Sequence, residues 1–296
     1  MRPLFLLALS ALGLAAPLAA QERTPLPPGV EIVSRADWGG LPAVAETIPQ
    51  RPRALTVHHS GTPQRPDVDP AQGLRNLYAF STRQDTLGDG RVKAAWADVP
   101  YHFVIAPDGT ILEARDVAFE GDTNTRYDLS GHALVVLQGN FDEEQPTTAQ
   151  MTSLLALSEA LARQWGFGPG AVAGHADRAP GQTVCPGDAL EARLPAVRAA
   201  VAAGARQSLA GTWDADGPAA SLRLAVGPDG SVSGTMGEAA IRHGRADATG
   251  DRIYFSFTTT DGTGDAVTHG SVHAGRIEAT TSTPGQLTVW TAARSE

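Results

Sequence analysis

The alternation of hydrophobic and polar positions divides this chain into two parts with different patterns. Between about residues 32 and 203, short apolar runs alternate with stretches of helical periodicity, which is the pattern of an α/β domain. A Pro-Asp-Gly-Thr turn at 107–110 predicts a hairpin whose second strand is 111–113. Three apolar runs predict further strands, at 54–58, 101–105 and 133–137.

Three stretches of helical periodicity predict helices, at about 71–81, 147–165 and 190–201. The first follows an Asp-Pro pair, which is typical of a helix start. Thr147 and Gln150 have the spacing of a capping box at the start of the second. Pro195 lies inside the third apolar stripe and is expected to kink or restart that helix.

The pattern of hydrophobic and polar residues changes near Gly204. Residues 208–296 show no helical stripe and instead contain short strand-like runs between Gly, Asp and Thr turns, which predicts a second domain, an antiparallel sandwich or small barrel. Its role stays open between wall binding, protein binding and a purely structural appendage. We expect His269 and His273 on its surface, and Trp213 and Trp290 as packing anchors near the two ends of one barrel or sandwich.

The first twenty residues have the order of a signal peptide: Arg2, an apolar stretch, then small residues up to Ala20. We expect cleavage there, export to the periplasm or the outside medium, and no stable membrane anchor afterwards. A short Pro-rich linker is predicted at 21–30. The catalytic domain is predicted to span 31–203.

The composition limits the partners. The chain has 296 residues, 42% of them hydrophobic, and a formal net charge of −9. Nucleic-acid-binding proteins carry basic patches, so the net charge argues against a nucleic-acid partner. The acidic balance also means that an anionic polymer is not captured by bulk attraction. A single cysteine leaves no intrachain disulfide, so stability must come from the core or a bound metal.

That cysteine, Cys185, lies ten residues after His175 in a Thr-Val-Cys-Pro-Gly run. A lone cysteine serves as core filler, free thiol, intermolecular bridge or metal ligand. His58 and His59 end a buried strand far upstream. Two imidazoles and a thiolate, with a fourth position left for water, form a catalytic zinc set. The residues therefore point to a zinc hydrolase.

Six motifs follow one another along the chain: Ser34–Gly39, Val57–Ser60, Trp96–Phe103, Gly139–Phe141, Gly174–His175 and Thr183–Gly187. Their order and context resemble the N-acetylmuramoyl-L-alanine amidase family, of the type shared by phage T7 lysozyme and the peptidoglycan recognition proteins. The resemblance covers residues 31 to about 200 and does not extend to the C-terminal domain. The resemblance implies a mixed central sheet flanked by helices.

It also implies Zn²⁺ ligands at His58, His175 and Cys185, and catalytic roles for Tyr101 and Thr183. The expected reaction is hydrolysis of the amide bond between N-acetylmuramic acid and L-alanine, in peptidoglycan or in soluble muropeptides. The alternative is a peptidoglycan-binding recognition protein without catalysis.

The chain departs from the family pattern at several positions. Pro100 replaces the usual glycine before the tyrosine, and Ala176 replaces an arginine, leaving Asp177 as a candidate hydrogen-bond acceptor beside the site. Where relatives often carry a histidine, this chain has Asp-Thr-Asn at 122–124. We expect these changes to affect the preferred peptide stem.

Four aromatic residues near the motifs have structural interpretations. His59 and His102 are expected to be packed strand histidines. Trp38 and Trp96 are expected to fill the core near the cleft.

Overall fold

The computed structural model describes residues 23–86, 88, 90–261 and 264–295. The predicted signal peptide at 1–20 lies outside the described residues. None of the helices in the described ranges has the length and apolar character needed to cross a membrane.

In the first part of the chain, the described residues form five α-helices and seven strands. In chain order they are β1 (Ala54–His59), α1 (Pro70–Ser81), β2 (Asp85–Thr86), β3 (Val92–Lys93), β4 (Phe103–Ile105), β5 (Ile111–Glu113), β6 (His132–Leu137), α2 (Thr148–Trp165), β7 (Val172–Gly174), α3 (His175–Arg178), α4 (Asp188–Glu191) and α5 (Leu194–Gln207).

Five of these strands form one mixed sheet in the order β5-β4-β6-β1-β7. The central strand β1 is parallel to β6 and β7, whereas β5 is antiparallel to β4. Every residue of β1 is buried, as expected for a strand covered on both faces. The predicted mixed α/β architecture is confirmed.

The helices begin and end where local signals place them. Asp69 caps α1 through its side chain, and Thr147 and Gln150 form the capping box of α2. Gly166 ends α2 with a φ of 74°, in the left-handed region that favours glycine. The third predicted helix is two helices, because the chain restarts as α5 with Pro195 in its first turn.

Two details differ from the predicted pattern. The strand predicted at 101–105 begins only at Phe103, so Tyr101 lies in an irregular segment before it. Strand β7 and the small β2–β3 hairpin have two or three residues per strand, too few for periodicity to reveal them.

The second part of the chain is a closed barrel of eight antiparallel strands. They are β8 (Gly211–Ala215), β9 (Ser221–Val226), β10 (Ser231–Met236), β11 (Ala239–Thr249), β12 (Arg252–Asp261), β13 (Gly264–His273), β14 (Arg276–Thr283) and β15 (Gln286–Arg294). Trp213 and Trp290 are buried packing anchors, whereas His269 and His273 are exposed, as predicted. Of the two expected architectures, the barrel is the one formed.

The barrel contacts the mixed-sheet part through α5 and through the short 3₁₀ turn Pro169–Ala171. The Gln207 side chain donates to the Gly227 carbonyl over 3.1 Å, and the Gly170 amide donates to the Gly250 carbonyl over 2.6 Å. Helix α5 continues past residue 203 to Gln207. Whether the two parts fold independently remains a prediction.

The described residues of the predicted linker pack against the mixed-sheet part. Arg23 pairs with Glu113 at 2.7 Å, and the Thr24 amide donates to the Asp116 carboxylate over 3.0 Å. The Pro25 carbonyl accepts from the Gln164 side chain over 2.9 Å.

Candidate functional site

Three candidate metal ligands meet at one edge of the mixed sheet. His58 lies near the carboxyl end of β1, and His175 follows β7 directly as the first residue of α3. Because β1 and β7 are adjacent and parallel, with Val57 opposite Gly174, the two histidines are brought side by side. Cys185 reaches them from the loop between α3 and α4. One ligand atom from each side chain lies within 4.8 Å of the others.

The backbone holds Cys185 in this position. Its Sγ lies 3.6 Å from His58 Nδ1 and accepts a hydrogen bond from the His59 amide over 3.3 Å. The Ala176 amide donates to the Cys185 carbonyl over 2.6 Å, which joins the segments of two ligands. Gly187 has a φ of 85°, and a Cβ there would lie 2.5 Å from the Phe141 backbone, so this turn requires glycine.

Burial determines the protonation of the three ligands. It lowers the pKa of His58 well below its ordinary value, with a further lowering from His175, and it lowers the pKa of His175 to about 4. Both rings are therefore neutral at neutral pH and keep a lone pair for a metal. Burial raises the pKa of the Cys185 thiol to about 12, so a nearby cation is needed to make it a thiolate.

The residues present fit Zn²⁺. Two neutral imidazoles and one thiol form a donor set that zinc prefers. His58 Nε2 is buried and has no hydrogen-bond partner among the described residues, which is costly for a polar atom that stays unsatisfied. Across the described ranges, this is the one group of three or more His, Cys, Asp or Glu side chains with such spacing.

A cleft in two sections opens beside the ligands. The metal-side section has a volume of about 200 Å³ and is lined by His58, Tyr101, His175 and Thr183, among others. The second section, about 600 Å³, shares Tyr101 and Trp96 with the first. Its other walls combine apolar side chains, among them Leu77, Phe80, Val104 and Val136, with polar ones such as Asn76 and Gln138.

Tyr101 and Thr183 both face the metal-side section. The Tyr101 ring lies 5.1 Å from the His58 ring, and its hydroxyl makes no hydrogen bond to another described residue. Burial raises the pKa of Tyr101, so the hydroxyl remains a donor. Thr183 Oγ1 accepts from the Cys185 amide over 3.1 Å, which leaves its own proton available. All five residues singled out in the sequence are thus brought together.

The two tryptophans differ from each other. Trp38 is buried and its Nε1 donates to the Glu113 carbonyl over 2.6 Å, in agreement with a core role. Trp96 is only half-buried and lines both sections of the cleft, so its interpretation as core was incomplete.

His59 and His102, the two histidines expected to have structural roles, form hydrogen bonds to the backbone. His59 Nδ1 accepts from the Phe141 amide over 3.3 Å. His102 is fully buried between the Leu134 amide and the Phe119 carbonyl, with both hydrogen bonds at 2.8 Å.

Sequence reasoning missed one polar contact of the metal site. Thr125 Oγ1 lies 2.7 Å from His175 Nε2. The sequence carried no signal for it, because Asp-Thr-Asn-Thr between two strands is typical of any loop. Asp177, the candidate acceptor, instead accepts from the Gly174 amide over 3.2 Å and caps α3.

Comparisons with known proteins agree with this site. The family model described as N-acetylmuramoyl-L-alanine amidase matches residues 49–188. Peptidoglycan-recognition protein SC2 of Drosophila simulans is 31% identical over 162 residues, which cover 54% of this chain and 82% of that relative. The chain belongs to the N-acetylmuramoyl-L-alanine amidase family. The matched region contains all three candidate ligands and ends before the barrel.

Other family members carry different names. The N-acetylmuramoyl-L-alanine amidase of Homo sapiens is 30% identical over 161 residues, covering 53% of this chain but 26% of the human protein. Among solved structures, Drosophila peptidoglycan recognition protein SD covers 55% of this chain and 92% of its own, with 23% identity and a TM-score of 0.46. The relatives matched by sequence thus include one named as an amidase and one named for recognition.

Proposed function

We propose that this protein is an exported, zinc-dependent amidase that hydrolyses the bond between N-acetylmuramic acid and L-alanine in peptidoglycan or its fragments. The observation that carries the proposal is the coexistence of two features. His58, His175 and Cys185 form a complete zinc donor set, and the hydroxyl of Tyr101 beside it makes no hydrogen bond to another described residue. A protein that only binds its ligand needs neither feature.

Each residue has a role that its position supports. When held by the two histidines and Cys185, Zn²⁺ supplies Lewis acidity that activates a water molecule and polarises a carbonyl. Tyr101 donates a hydrogen bond to the carbonyl oxygen as negative charge develops there, and its raised pKa keeps the proton on the hydroxyl. Thr183 offers a second donor whose oxygen is already fixed by the Cys185 amide.

The shape of the cleft supports an elongated substrate. Its two sections meet at Tyr101 and Trp96, so a ligand that fills both passes the candidate donor. The net charge of −9 gives no bulk attraction for an anionic wall polymer. Capture therefore depends on contacts inside the cleft, and the barrel is a candidate for additional binding to the wall or to a protein.

The test is mass spectrometry of muropeptides after digestion of purified sacculi and, separately, of soluble fragments. We expect peptide stems with a free L-alanine amino group. The product should disappear when a zinc chelator is added and return when Zn²⁺ is restored. The Tyr101→Phe variant serves as the matched enzyme of low activity.

The two substrates also separate the alternatives. Retention on sacculi without any released stem, in protein with zinc bound, would establish the recognition function instead. Release from soluble fragments alone would identify a muropeptide amidase. Export is tested by sequencing the amino terminus of the protein recovered from the periplasm and the medium, where we expect cleavage near Ala20.

A further inference from the structure

A loop opposite His175 carries two threonines whose hydroxyl groups form a chain that ends on the imidazole. Thr125 Oγ1 lies 2.7 Å from His175 Nε2 and 2.8 Å from Thr123 Oγ1. We propose that Thr125 is a positioning residue for the metal site: it accepts a hydrogen bond from His175 Nε2–H and thereby holds the other ring nitrogen toward the metal. This inference rests on the proposed zinc function.

The local geometry is compatible with this direction of the hydrogen bonds. The Thr125 amide donates to Thr123 Oγ1 over 3.1 Å, so Thr123 already acts as an acceptor toward Thr125. If the Thr125 hydroxyl donates its proton to Thr123 Oγ1, the lone pairs of Thr125 Oγ1 remain available to accept a hydrogen bond from His175 Nε2. The neutral imidazole then carries its proton on Nε2 and keeps the Nδ1 lone pair free. Metal-binding histidines commonly donate their second ring N–H to an oxygen, which fixes tautomer and orientation.

The loop is anchored on both sides of these threonines. The buried Arg115 guanidinium pairs with the Asp122 carboxylate on one side. On the other, the Gln182 side chain accepts from the Arg126 amide over 2.8 Å and donates to the Arg126 carbonyl over 3.3 Å. Because both ends are fixed, the Thr125 hydroxyl is held in place before a metal binds, as an effective supporting residue must be.

The anchoring also links the loop to the segment that carries the third ligand. Gln182 lies three residues before Cys185 in the chain. The Gln182 side chain therefore connects the Thr125 loop to the loop that carries Cys185. Because Thr125 contacts His175, the positions of His175 and Cys185 depend on the same contacts.

The test compares Thr125→Val, which removes the hydroxyl and keeps the shape, with Thr125→Ser, which keeps the hydroxyl. Zinc affinity is measured by competition with a chromophoric chelator. We expect Thr125→Val to bind zinc about 10- to 100-fold more weakly and Thr125→Ser to restore most of the affinity. Thr152→Val is the control, because that hydroxyl is exposed on α2 and bonds only to its own helix, at Thr148.

A second measurement does not depend on a variant folding. Nitrogen-15 NMR of the zinc-loaded wild-type protein should place the His175 proton on Nε2. A proton on Nδ1, or equal zinc affinity in wild type and a folded Thr125→Val, would overturn the inference and leave the proposed function standing. Failure of the wild-type protein to bind zinc would instead remove the proposed function, and this inference with it.

Discussion

The backbone amide of His59 donates a hydrogen bond to Cys185 Sγ over 3.3 Å. The side chain of the preceding residue, His58, approaches the same sulfur at 3.6 Å. Two consecutive residues of β1 thus present a ring and an amide to one sulfur atom. The hydrogen bond from the His59 amide lowers the pKa of Cys185 and so opposes the effect of burial, which raises it. Strand β1 therefore holds the candidate ligand in place and also favours its thiolate form.

Cys185→Ser is expected to lose most of its zinc and its hydrolytic activity. A neutral hydroxyl replaces the thiolate, and the His59 amide loses its sulfur acceptor. Elemental analysis of the purified variant measures the zinc. Stoichiometric zinc in folded Cys185→Ser would show that Cys185 is not a ligand.

Tyr101→Phe is expected to keep zinc and fold but to lower the turnover by roughly 10²-fold or more, as the loss of one donor to a developing oxyanion does. The matched control is Tyr127→Phe. The Tyr127 ring also lies near His175, at 5.5 Å, but Tyr127 does not line the metal-side section, and its buried hydroxyl has no hydrogen-bond partner among the described residues. The measurement is the steady-state turnover of both variants on a soluble muropeptide. An equal loss of turnover in the two variants would show that Tyr101 has only a packing role.

The sequence predicted those features that local chemistry determines. The α2 capping box at Thr147 and the left-handed end at Gly166 are signals within one or two turns, and both are present. The ligand set was predictable because its residue types and motifs are specific. Period-two alternation is the same in a sandwich and a barrel, so barrel closure was not predictable. The Thr125 contact was not predictable either, because it depends on how a loop folds over a distant helix.

His102 is expected to make folding stability sensitive to acid. Its Nε2–H donates to the Phe119 carbonyl and its Nδ1 accepts from the Leu134 amide, an arrangement that requires the neutral ring. Burial lowers its pKa from 6.5 to about 4. The unfolded chain therefore binds the proton first as the pH falls. The stability contribution is complete above about pH 6.5 and is lost progressively down to about pH 4.

The corresponding measurement is urea unfolding at pH 7 and pH 4.5, with a chelator present in every sample so that zinc does not contribute. His102→Gln keeps a donor and an acceptor but cannot be protonated. We expect the free energy of unfolding of this variant to change less between the two pH values than that of the wild type, by about 2–3 kcal/mol. Parallel pH dependences would show that His102 is not one of the groups responsible.

Residues 21–207 are expected to fold, bind zinc and cleave soluble muropeptides at close to the full-length rate. All candidate ligands and both candidate donors lie before α5, and the described barrel contacts involve α5 and the turn at Gly170 rather than the cleft. Ending the chain at Gln207 preserves the whole of α5. A lower melting temperature is expected, because the α5 surface that faces β11 becomes exposed.

Activity of the shortened protein on sacculi should fall as well if the barrel binds the cell wall. Zinc content and rates on soluble fragments are compared with those of the full-length protein. If the shortened protein is insoluble, or soluble but inactive on these fragments, the barrel completes the catalytic core and the two-domain division is wrong.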